Sequence, residues 1–102
     1  MKPKEIIQLV EKEIGDNWMV SNAHGCDLKT CLVRPRRRSF ITMSGEIEEL
    51  WIVLYEHPLT LEGYKVVFND KTKQFGLAQS SYHPYDYFLC YYDNFLKAFE
   101  SM

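Results

Sequence analysis

Ile6, Ile7, Leu9, Val10 and Ile14 recur at the spacing of one helical face, with Glu5, Gln8, Lys12 and Glu13 largely opposite. Pro3 suits the first turn of such a helix, where a missing N–H costs nothing, and Gly15-Asp16-Asn17 stops it. Trp18–Ala23 reads as a short strand and His24-Gly25-Cys26-Asp27 as a turn. Thr30–Val33 and Phe40–Met43 read as two more strands, separated by Arg34-Pro35-Arg36-Arg37-Arg38, a spacer that Pro35 keeps out of any central ladder.

Ile47–Tyr55 carries the clearest signal. Leu50, Ile52 and Leu54 alternate with Trp51, Val53 and Tyr55, so both faces are apolar and the segment predicts an interior strand covered on both sides. Tyr64–Asn69 and Gln74–Gln79, joined by the polar turn Asp70-Lys71-Thr72-Lys73, predict a hairpin. In the last segment, Tyr85, Phe88, Leu89, Tyr92, Phe95, Leu96 and Phe99 fall at helical spacing and predict a C-terminal helix. On that helix Tyr87 and Tyr91 would lie one turn apart, opposite Phe88, Phe95 and Phe99, with Asp86 and Asp93 beside them. The sum is one α+β domain over residues 1–102, a mainly antiparallel sheet of four or five strands with an N-terminal and a C-terminal helix packed on it.

Composition narrows the class. With 46% apolar residues and a net charge of −2, the chain is too apolar and too weakly charged to stay disordered. Its longest uncharged apolar run, Leu50–Tyr55, is far below the ~20 residues of a membrane helix. Met1-Lys2-Pro3-Lys4-Glu5 leads into a charged amphipathic stretch and not an apolar signal core, and three cysteines make an odd number for a disulfide framework. A cytoplasmic location is the expectation, with no membrane partner.

Charge is uneven. Residues 1–38 hold eight Lys/Arg against five Asp/Glu, and residues 39–102 hold four against nine. Arg34–Arg38 could hold phosphate, which keeps a small nucleic-acid-binding module as an alternative. The slightly acidic whole argues against it, because such domains show a broad basic face.

Catalytic signals are absent. No phosphate loop, nucleophile elbow, zinc-protease helix or dinucleotide fingerprint occurs, so no cofactor and no enzymatic activity is expected. His24, Cys26 and Cys31 invite a metal reading, but the cysteines are five positions apart and His57 and His83 lie in distant loops, so buried thiols beside a polar turn are the simpler expectation. Cys90 with His83 lacks an orienting group for a thiol nucleophile.

Glu49-Leu-Trp-Ile-Val-Leu-Tyr-Glu56, Pro58, Glu62-Gly-Tyr-Lys-Val-Val-Phe-Asn-Asp70 and Phe75-Gly-Leu-Ala78, together with Tyr91-Tyr-Asp-Asn-Phe-Leu96, form a pattern. It resembles small immunity proteins of bacterial contact-dependent growth inhibition systems. The resemblance spans roughly the C-terminal half and rests on scaffold residues. It implies a non-enzymatic antidote that binds one cognate toxin domain, the C-terminal part of a large secreted surface protein, and occludes its active site. Some proteins of this type neutralise ribonuclease toxins, including ribonuclease-A-like ones. A nuclease site is basic because it binds phosphate, so carboxylates and exposed aromatics are the candidate contacts: Glu56, Glu62, Tyr82, His83, Asp86, Tyr87 and Tyr91.

Overall fold

The computed structural model describes residues 1–102. Helix α1 (Pro3–Ile14) opens with Pro3, and Glu5 accepts the Lys2 N–H at 2.8 Å. It buries Ile6, Val10 and Ile14, one residue per turn. A short α2 (Leu28–Cys31), capped by Asp27, leads into β1 (Leu32–Ile41). Then follow β2 (Ile47–His57), β3 (Glu62–Asn69), β4 (Gln74–Gln79), β5 (Asp86–Tyr92) and α3 (Phe95–Glu100), the last capped by Asn94.

The five strands form one sheet in chain order. Neighbouring strands pair antiparallel, and a short parallel contact of β1 with β5, Phe40 with Asp86 and Ile41 with Tyr87, closes the sheet into a barrel. The helices pack on its outer face. There Leu54, Val66, Phe68, Phe75 and Leu77 meet Ile6, Val10 and Ile14 of α1 and Phe95, Ala98 and Phe99 of α3. A chain of rings runs through this layer, with centroids 4.7 Å apart for Phe68–Phe75 and 5.6 Å for Phe75–Phe95. The inner face holds a second, smaller cluster: Phe40, Leu50, Ile52, Tyr55, Val67, Ala78 and Phe88.

Strand β2 sits between β1 and β3 with Leu50, Ile52, Val53, Leu54 and Tyr55 buried, as its two apolar faces predict, while Trp51 is only half-buried. A register shift between Ile52 and Leu54 returns Tyr55 to the inner face. Gly76 of β4 permits the close approach of β5, because a Cβ there would stand 2.6 Å from the Cys90 carbonyl oxygen and 2.9 Å from Phe88 Cε1.

Three expectations are corrected. Trp18–Ala23 forms no strand: Asn22 organises it as a loop, donating to the Phe99 carbonyl at 3.0 Å and accepting the His24 N–H at 3.0 Å and the Cys26 N–H at 3.2 Å. The segments 30–33 and 40–43 with their arginine spacer are not two strands and a loop. Thr30 and Cys31 belong to α2, and Leu32–Ile41 is one strand that runs through the arginines. Pro35 lies where β1 slips register against β2, between Leu32 and Arg36, so its missing N–H leaves no ladder bond unmade.

The predicted C-terminal helix over 85–99 is the third. Residues 86–92 form β5, and only Phe95–Glu100 is helical. Nearly every position from Tyr85 to Tyr92 is aromatic or aliphatic, so a helical period fits as well as any other, while the side-chain types favour a strand beside β4. Tyr87 and Tyr91 therefore do not lie one helical turn apart. None of the helices is long and apolar enough to cross a membrane.

Candidate partner-binding face at the barrel mouth

The β4–β5 loop, residues 80–85, stands at one end of the barrel. The Ser80 N–H donates to the Gly63 carbonyl at 3.0 Å, tying the loop to the start of β3. The Ser81 hydroxyl donates to the Tyr85 carbonyl at 2.7 Å and accepts the His83 N–H at 3.1 Å. This brace turns the Tyr82 side chain outward, where it is fully exposed.

Five of the seven candidate contact residues meet here. Glu62, Tyr82 and Asp86 line one cleft with Ser80 and Ser81. His83 and Tyr87 line the next, beside Met43, with their ring centroids 6.5 Å apart. Glu62 and His83 are exposed, and Tyr87 keeps 41% of its surface in solvent. Asp86 opens β5 opposite Phe40 of β1, and its carboxylate takes the Lys65 ammonium at 2.7 Å.

Tyr91 and Glu56 lie elsewhere. The Tyr91 hydroxyl donates to Glu48 Oε2 at 3.0 Å and accepts from Asn69 Nδ2 at 2.8 Å, a bridge across β2, β3 and β5. Burial pushes the Tyr91 hydroxyl pKa up, and the Glu48 carboxylate adds to the rise despite the Asn69 donor. Tyr91 is thus tied into the scaffold.

Glu56 sits in a second cleft with His24 and His57. Its carboxylate accepts the Tyr64 N–H at 2.9 Å and contacts His24 Nδ1, while His57 Nε2 stands 3.6 Å away. Burial raises its pKa, but the Tyr64 amide and the two histidines outweigh that and hold it below the usual carboxylate range. Gly63, at φ +84°, leaves the room this carboxylate fills. Cys26 and Cys31 are buried beside it, and burial raises the Cys26 thiol pKa, away from reactivity. No group of three His, Cys, Asp or Glu side chains is placed to hold a metal ion.

The pattern of the sequence did not single out Lys65, Met43 or Leu61. Lys65 shares its side of β3 with Val67, and that apolar neighbour was the available sign that this lysine points inward. Met43 and Leu61 stand exposed on loops flanking the mouth, and nothing in their local pattern marks them.

Comparison with protein-family models, with curated proteins and with solved structures finds no match for this chain.

Proposed function

We propose that this chain is a cytoplasmic immunity protein. It binds one toxin domain, the C-terminal part of a large secreted surface protein, and neutralises it by covering the active site. It acts by binding and not by catalysis. The observation that carries the reading is the convergence of Tyr82, His83 and Tyr87 with Glu62 and Asp86 on one exposed end of the barrel. Exposed aromatics supply contact area at low entropy cost, and carboxylates among them complement a basic, phosphate-binding site. The resemblance of residues 49–96 supports the same class, with a nuclease as the toxin, the ribonuclease-A-like kind being one candidate.

The test is inhibition of RNA cleavage by the toxin domain encoded beside this chain. One equivalent of the chain abolishes cleavage, and Tyr82→Ala with Asp86→Asn restores it at equal concentration. Full inhibition by that double variant would move the binding face elsewhere.

A second reading has one observation on its side. Of the four arginines in Arg34–Arg38 only Arg37 is ion-paired, to Glu49 at 3.4 Å and Asp70 at 3.8 Å. If the chain were a nucleic-acid module, RNA affinity would fall steeply with salt and with replacement of the other three.

A further inference from the structure

The inner cluster of the barrel gives way at the mouth to polar side chains: Lys65, Asp86, Ser80, Tyr55 and Arg38. Lys65 faces Tyr55 across the β2–β3 ladder and is 3% exposed. Its ammonium donates to Asp86 Oδ2 at 2.7 Å and Ser80 Oγ at 3.0 Å, leaving one of its three hydrogens unused. Tyr55 is 4% exposed, with its ring centroid 5.7 Å from that ammonium. Its hydroxyl makes no hydrogen bond within the chain, and no fully buried polar side-chain atom lacks a partner, so the hydroxyl keeps some exposure; Tyr55 itself lines the cavity. Arg38 stands at the rim. It spends one N–H on the Arg37 carbonyl at 2.8 Å and has no carboxylate partner.

We propose that this cavity is a binding site for a small carboxylic acid with an apolar body. Two cations against the single Asp86 carboxylate leave one positive charge, which suits a monoanion and disfavours a dianion or an amine. The free Lys65 hydrogen, the Tyr55 hydroxyl and the Arg38 fork donate to the carboxylate. Phe40, Ile52, Leu61 and Pro84 form the wall against which the body packs. The volume of about 220 Å³ lies below the ~300–1,000 Å³ of drug-sized sites and restricts the ligand to a fragment. The site shares Asp86 with the proposed toxin-binding face, but ligand binding is read on the free chain, so its success or failure is separate from that of the toxin-binding reading.

The test titrates the full chain with 3-phenylpropionate, followed by amide chemical shifts, beside inorganic phosphate and 3-phenylpropylamine. Saturable shifts are expected around Arg38, Tyr55 and Lys65 at millimolar 3-phenylpropionate. Phosphate binds at least about tenfold more weakly and the amine not at all. Tyr55→Phe keeps the ring and removes the hydroxyl, and Arg38→Gln alters an exposed side chain; each weakens binding about five- to tenfold with the spectrum otherwise that of the folded protein. The proposal is overturned if 3-phenylpropionate gives no saturable shift. It is equally overturned if phosphate binds as tightly, or if neither variant changes the affinity.

Discussion

The two faces of one sheet are built to opposite rules. The outer face is covered by helices: α1 and α3 lie on Leu54, Val66, Phe68, Phe75 and Leu77, with a cavity of about 270 Å³ left between α1 and β1. The inner face is sealed only in part. Phe40, Leu50, Val67 and Phe88 fill the barrel, but towards the mouth the lining turns to Lys65, Ser80 and Asp86, with exposed aromatics just beyond. The parallel pairing of β1 with β5 is short, covering only Phe40–Ile41 and Asp86–Tyr87, directly after the 80–85 loop. The helices cover the larger buried cluster, and the exposed side chains gather where they do not.

The largest expected effect breaks the helix-covered side. Phe68→Ala removes a fully buried ring that touches Phe75, and should cost about 3–5 kcal/mol by lost burial and a residual cavity, read as a denaturant midpoint shift at constant slope. At the mouth, Lys65→Ala leaves Asp86 and Ser80 without their cation. Asp86 is partly exposed and can rehydrate, so about 2–3 kcal/mol is expected, below the usual cost of splitting a fully buried pair. A larger loss than at Phe68 would mean that the mouth, and not the helix-covered face, dominates stability.

A third test uses pH. Glu56 and Asp70 both titrate below the usual carboxylate range in the folded chain, Asp70 chiefly because it accepts the Trp51 indole N–H at 3.1 Å. A depressed folded pKa gives stability that is present above the unfolded value and lost as pH falls through the folded one. The unfolding midpoint should therefore fall on acidification through and below the ordinary carboxylate range. Glu56→Gln should cost about 1–2 kcal/mol at neutral pH and flatten that acid limb. An unchanged acid limb would remove Glu56 from the account. The smallest effect belongs to Tyr82→Ala, which touches only an exposed loop side chain and should leave stability within about 0.5 kcal/mol.

Much of the scaffold was legible in the sequence, and the reasons are local. The 3.6-residue period of Ile6, Val10 and Ile14 marks α1 because a helix with one buried stripe has no other solution. The polar turn Asp70–Lys73 marks the β3–β4 hairpin, where the Asn69 carboxamide accepts the Lys71 and Thr72 N–H groups. The misread segments failed for physical causes. Tyr85–Tyr92 is apolar at almost every position, so periodicity carries no information there and only pairing with β4 decides its form. Pro35 signals a break in any regular strand, yet a register slip absorbs it. Of the candidate contacts, the ones on the 80–87 stretch converge because one loop and the start of β5 carry them. Glu56 and Tyr91 depart because their hydrogen-bond partners, Tyr64 and Glu48, come from strands whose register no single segment encodes.

The central claim is that the unsealed end of the barrel is the binding face. Calorimetric titration of the cognate toxin domain into this chain and into a Tyr82→Ala/Tyr87→Ala variant tests it most directly. Stoichiometric one-to-one binding to the parent chain is expected. The variant should bind at least about tenfold more weakly, as expected for two aromatic anchors, at an unchanged melting temperature. Equal affinity for both chains, or no heat of binding to either, would contradict it.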